Sequence, residues 1–99
     1  HAVTANRAVD ALVEDEMARA EEPFILREPN VTDVFNDSQS ELHDRLGISD
    51  QVTLNVTLSD DSGVIYSSGP KPPDSNSVTT AWRVVSYQGS QAEVAVRVW

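Results

Sequence analysis

Cysteine is absent from this chain. That excludes disulfides, thiol catalysis and thiolate metal sites together, and leaves the redox compartment unread. Lysine is almost absent as well: Lys71 is the one lysine among seven basic residues. Aromatic residues make up 6% of the chain, so any core must be aliphatic, and valine dominates it, which favours strands. The four glycines stand singly and build no phosphate-cradling loop. Within these residues no window approaches the roughly 18–20 apolar residues that cross a bilayer.

What the chain has in excess is negative charge. Sixteen acidic residues face seven basic ones, for a net charge of −9 and a pI of about 4.3. Nucleic-acid binding needs a basic footprint, and docking on an anionic membrane surface needs the same sign, so both partners are excluded. High acid content with arginine in place of lysine resembles proteins of salt-loving archaea, in which salt screens the self-repulsion of a dense charge. An ordinary acidic mesophile domain is the alternative.

Ninety-nine residues fit one domain with one real core. The strongest helical signal is Ala2–Ala20. At 100° per residue Ala2, Ala5, Val9, Leu12, Val13, Met17 and Ala20 share one face, while Arg7, Asp10, Glu14 and Ala18 point away. Pro23 sets the latest end of this helix, at about residue 22. Glu16 falls near the centre of the apolar face. There it must reach Arg19, Arg83 or Arg97, escape at an edge, or meet a neighbouring molecule. The helix starts at once, without a good cap, and reads as the lower part of a longer one, His1 being a remnant of a tag.

Residues 23–37 read as an extended connector between two prolines. Ser38-Gln39-Ser40-Glu41 is a capping-box pattern that opens a short helix over 38–47, with Leu42 and Leu46 on one side and Gly47 at its left-handed end. From Val52 the period becomes two: Val52, Leu54, Val56 and Leu58 alternate with polar residues. Ser59–Gly63 reads as a turn and Val64–Ser68 as a return strand, followed by a proline-rich loop over 69–77. Val78–Tyr87 and Gln91–Trp99 flank Gln88-Gly89-Ser90 as a hairpin, with Ala92, Val94, Val96 and Val98 facing the first helix. The expected fold is therefore α+β: a long N-terminal helix and a short second one packed on a four-stranded antiparallel sheet over 52–99.

Catalytic chemistry finds little purchase in this pattern. His1 and His43 are the whole imidazole supply, and His43 is expected on the exposed side of its short helix. No serine has a nucleophile-elbow context, and Asp60-Asp61-Ser62-Gly63 lacks the spacing and terminal glutamate of a calcium loop. No catalytic residue, cofactor or metal ligand is assigned, and the chain is read as no enzyme. Three N-x-Ser/Thr acceptors, at Asn30, Asn36 and Asn55, suggest an exported protein that carries sugar. Trp82, Tyr87 and Trp99, with Glu16, are the candidate contact residues.

A long helix, a short helix and an antiparallel sheet ending in WRVVSYQGSQAEVAVRVW resemble the head domain of type IV pilin-like proteins, in particular haloarchaeal ones. The resemblance implies a structural subunit of a cell-surface filament, or a membrane-anchored pilin-like protein. Its first helix would continue an upstream transmembrane segment and contact other pilin-like subunits. It also implies an outward-facing, often glycosylated head that is monomeric in isolation. A free-standing acidic adhesion module using its surface aromatics is the competing reading. Salt adaptation has a direct consequence for stability: the thermal midpoint should rise steadily from dilute buffer to molar KCl, and a flat response removes the argument.

Overall fold

The computed structural model describes residues 1–74 and 77–99. Its first element, α1 (Ala2–Ala11), runs without interruption into a single π turn, Leu12–Glu16, closed by a hydrogen bond from the Met17 amide to the Leu12 carbonyl at 2.9 Å. Of the face read from the wheel, Ala5, Val9, Leu12, Val13 and Met17 are buried together with Ala8, whereas Ala2 and Ala20 at its two ends are exposed and Ala18, expected to point away, is buried. The π turn adds one residue to the last turn. Met17 thereby stays beneath Leu12, and Glu16 swings off the centre of the face.

The helix does not reach residue 22. After Met17 the chain reverses: Ala18–Arg19 (β1) pairs antiparallel with Glu22–Leu26 (β2), across a tip where Glu21 has φ 63°. The Arg27 amide donates to the Met17 carbonyl at 3.0 Å and fixes the return. Pro23, expected as the helix stop, instead lies within β2, near the sheet margin where a missing amide donor is tolerated.

The stretch over 23–37, expected as an extended connector, holds a strand and a helix. Glu28–Phe35 forms α2 with proline in its first turn. There the missing N–H is no loss, because first-turn amides have no partner within a helix. Val31 and Val34 are buried by this turn of chain. Gln39–Leu46 forms α3, with both capping-box hydrogen bonds made between Ser38 and Glu41 and with Gly47 at φ 66°.

The expectation of a four-stranded antiparallel sheet under one long helix is also corrected. The sheet has six strands in the order β1-β2-β5-β6-β3-β4, where β3 is Leu54–Asp60, β4 Gly63–Ser68, β5 Thr79–Tyr87 and β6 Ser90–Val98. It is mixed, because β2 runs parallel to β5 through Ile25 opposite Ser86 and Leu26 opposite Tyr87. It curls into a half-barrel around three short helices. The two hairpins are not a simple meander: β6 pairs antiparallel with β3, so the hairpins are joined through these two inner strands. Short β1 and β2 are invisible to periodicity, since two- and five-residue strands offer too few alternations to count.

The core lies between the concave side of the sheet and the helices. Leu54, Val56 and Leu58 of β3, the Ala92/Val94/Val96/Val98 face of β6, and Ala81, Val85 and Tyr87 of β5 close over the α1 stripe. Leu12 is fully buried among them. Leu12→Ala should lower unfolding free energy by about 2–5 kcal/mol in urea titration, whereas Val3→Ala on the exposed first turn should stay within about 0.5 kcal/mol.

Candidate functional site

With the core faces turned toward α1, alternation places a second set of side chains on the convex face of the sheet. The registers arrange them in three rows. The first is Thr80, Arg97 and Asn55; the second Trp82, Ala95, Thr57 and Ser67; the third Val84, Glu93, Ser59 and Val64. Trp82 is 54% exposed, and Val84 and Val64 are also open to solvent. Ala95 is buried, small enough to sit below its cross-strand neighbours Trp82 and Thr57.

Two shallow basins flank the middle row. One, of about 300 Å³, is lined by Asn55, Thr57, Ser67, Gly69, Lys71 and Arg97. The other, of about 280 Å³, is lined by Ser59, Asp60, Asp61, Val84, Gln91 and Glu93. The first is basic and the second acidic. Arg97 donates to the Thr57 hydroxyl at 3.2 Å, and among the described residues neither Arg97 nor Lys71 is ion-paired. The wall of the basic basin is held tightly. Asn55 donates its side-chain amide to the Pro70 carbonyl at 3.2 Å, and Gly69 (φ 92°) packs so closely that a Cβ there would stand 2.2 Å from the Leu54 carbonyl oxygen.

The residues singled out from sequence scatter over the fold. Trp82 alone of the three aromatics is available for contact. Tyr87 is buried beneath α2, and Trp99 is half-buried, its backbone paired in both directions with Thr53. Glu16 makes an ion pair with Arg45 at 3.6 Å, an arginine not among its expected partners Arg19, Arg83 and Arg97. The same guanidinium grips Asp37 in a two-pronged contact at 2.6 and 3.0 Å. Asn55 is 4% exposed and already engaged with Pro70, and Asn30 donates to the Ala18 carbonyl at 2.9 Å. Asn36, at the end of α2, is the exposed acceptor of the three and makes no side-chain hydrogen bond among the described residues.

Sequence reasoning missed two polar clusters that only the fold assembles. The Glu28 carboxylate accepts from the Tyr66 hydroxyl at 3.1 Å, from the Tyr87 hydroxyl, and from Gln88 at 2.9 Å. Burial, followed by the Glu28 carboxylate, pushes the Tyr87 phenol well above its ordinary range, so it stays a donor. Phe35 stacks on Tyr66 at 5.3 Å and completes this clamp between α2 and the sheet. Among the described residues no group of three or more histidines or carboxylates could hold a metal ion, and no helix is long and apolar enough to cross a membrane.

The second cluster overturns the expectation of a solvated His43. The residue is 5% exposed, with Nδ1 2.7 Å from the Gln39 carbonyl oxygen and Nε2 2.6 Å from that of Val52. Two carbonyl acceptors satisfy both ring nitrogens only when both carry protons. Burial alone would lower the pKa of the ring. The Val52 and Gln39 carbonyls, with the nearby Asp50 and Asp44 carboxylates, outweigh it and raise the pKa above the ordinary histidine value. A raised native pKa stabilises the fold fully below the unfolded value of about 6.5, and that contribution is lost as pH rises through the native value. Urea unfolding over a pH series should therefore show stability falling as pH climbs above about 6.5, the unfolded value, and His43→Gln should flatten that slope.

Comparison with known proteins adds one match. Residues 1–99 fit the profile of a family described as "Family of unknown function (DUF7287)". No curated protein and no solved structure matches the chain. Because the match spans every residue from 1 to 99, this chain belongs to the DUF7287 family.

Proposed function

We propose that this domain is a non-catalytic structural subunit of a cell-surface type IV pilus-like filament, or of a membrane-anchored pilin-like protein. The observation that carries the reading is the division of α1. Its Ala5–Met17 stripe is sealed in the core, while Val3 on its first turn is 66% exposed. Val3, Thr4 and Arg7 border a shallow recess with Leu46, Ile48 and Val52. An exposed apolar helix end beside such a recess suits contact with another apolar helix or with a membrane-proximal surface. The titratable groups support the same reading, because the polar clusters built around Glu28, Arg45 and His43 serve as clamps between elements.

The full-length gene and the isolated domain test this together. The reading expects about 20 apolar residues encoded upstream of Ala2, surface filaments that disappear when that run is deleted, and an isolated domain that is monomeric at micromolar concentration. A coding sequence without such a run overturns it. The exposure of Trp82, with Val84 and Val64, on the convex face favours the second reading, a free-standing acidic module that binds through it, and that reading stands if the upstream run is missing.

A further inference from the structure

The convex face differs from the rest of the molecule in charge. Over the whole chain the net charge is −9; among the described residues Arg19, Arg45 and Arg83 each pair with a carboxylate, while Arg7 and Arg27, which lie off this face, make no ion pair. On the convex face Arg97 and Lys71, neither ion-paired among the described residues, lie at one end, and Glu93, Asp60 and Asp61 at the other. This face is nearly balanced while its surroundings repel. It also has an internal symmetry: Arg97 and Glu93 lie on the same strand, two residues either side of Ala95. Trp82, opposite Ala95, stands in the middle row.

We propose that the convex face of the sheet is a self-complementary association surface whose partner is a second copy of this chain. A two-fold axis lying in the contact plane and running across the strands along the Trp82–Ala95–Thr57 row exchanges the first row with the third. It sets Arg97 of each copy against Glu93 of the other, the Lys71 end against the Asp60-Asp61 turn, and Trp82 against Trp82. All three juxtapositions follow from that one operation, and each charge pair is repeated twice, as an isologous contact requires. Packing of two sheets with strands roughly aligned is an ordinary geometry. Other occupants fit less well. An acidic partner would meet Glu93, Asp60 and Asp61, a basic one Arg97 and Lys71, and only a partner carrying both signs in reversed order matches the whole face.

Size sets the strength. Four strands about 4.8 Å apart and three rows about 6.7 Å apart give roughly 400 Å² per copy. The total of about 800 Å² over both copies lies below the roughly 1,200 Å² total of stable complexes, in the range of weak, transient contacts. The domain is then a monomer when dilute and associates where copies are crowded, whichever way the full-length chain is anchored.

Sedimentation equilibrium and NMR diffusion at one fixed ionic strength test the proposal on the domain itself. The domain should be monomeric at about 10 μM and associate reversibly at roughly 0.1–1 mM. Glu93→Arg and Arg97→Glu should each weaken association at least about tenfold, and the double variant E93R/R97E should restore it to within about threefold, because it rebuilds every pair with the signs exchanged. Glu93→Arg alone separates pairing from general repulsion: it makes the chain less negative, so repulsion alone would tighten association where pairing weakens it. Trp82→Ala should weaken association as well, with unchanged far-UV circular dichroism. A wild-type domain that stays monomeric to millimolar concentration overturns the proposal. So does an association that Glu93→Arg strengthens or that the double variant does not rescue. None of these outcomes bears on the upstream apolar run, so failure here leaves the filament reading intact.

Discussion

The depth to which α1 can lay its apolar stripe into the curled sheet governs the rest of the molecule. The stripe ends at Met17, where the Leu12 carbonyl accepts the Met17 amide across a π turn, and every later element is fitted to that end point. β1 begins at the next residue, Arg27 hydrogen-bonds back to the Met17 carbonyl, and β2 brings Leu26 beside Tyr87 on the sheet margin. A regular α-helical turn here would carry Glu16 into the core, where an unpaired carboxylate is strongly unfavourable. The wider turn moves it out to Arg45.

Around that packed stripe, polar contacts between elements take the place that disulfides fill in other small domains. Arg83 joins β5 to α1 through Asp10 and Asn6, Arg45 joins α3 to the π turn and to Asp37, and Glu28 joins α2 to two tyrosines. His43 holds the carbonyls of α3 and of the segment leading into β3. The Arg83–Asp10 and Glu28–tyrosine contacts and the His43 contacts are part-buried, so they are screened less than a fully exposed surface pair. The arginines thus hold the fold together in a chain whose overall charge works against compactness.

The same arrangement leaves the molecule with two unlike sides. The concave side of the sheet is packed against the helices through the buried core. The convex side carries a solvent-facing tryptophan between a basic and an acidic basin, and the first turn of α1 carries an exposed valine. A domain organised this way offers contact surfaces rather than an enclosed pocket. Membership of DUF7287 over the whole chain is compatible with either proposed use of those surfaces, since the family description assigns none.

Local pattern by itself determined a good deal of this protein. The α1 stripe from Ala5 to Met17, the Ser38/Glu41 capping box, Gly47 at the end of α3, and the valine face of β6 are all written in spacing that neighbouring residues enforce. Trp82 and Tyr87 both stood as contact candidates in the sequence, and the packed sheet decided that Trp82 is the exposed one. Tertiary structure alone decided the rest. Residues 18–26 have no periodicity long enough to read, and they became strands because sheet margins offered them partners. Pro29 breaks a helix interior but suits a first turn, and which role it took depended on where Val31 and Val34 could be buried. His43 looked solvated because Leu42 and Leu46 read as the inward side of the short helix, which left His43 on the other. It is buried because the Val52 carbonyl, nine residues away, arrives on its far side. Glu16 found Arg45 for the same reason: helical periodicity fixes which side of a helix a residue faces, but only the packed fold decides what meets it there.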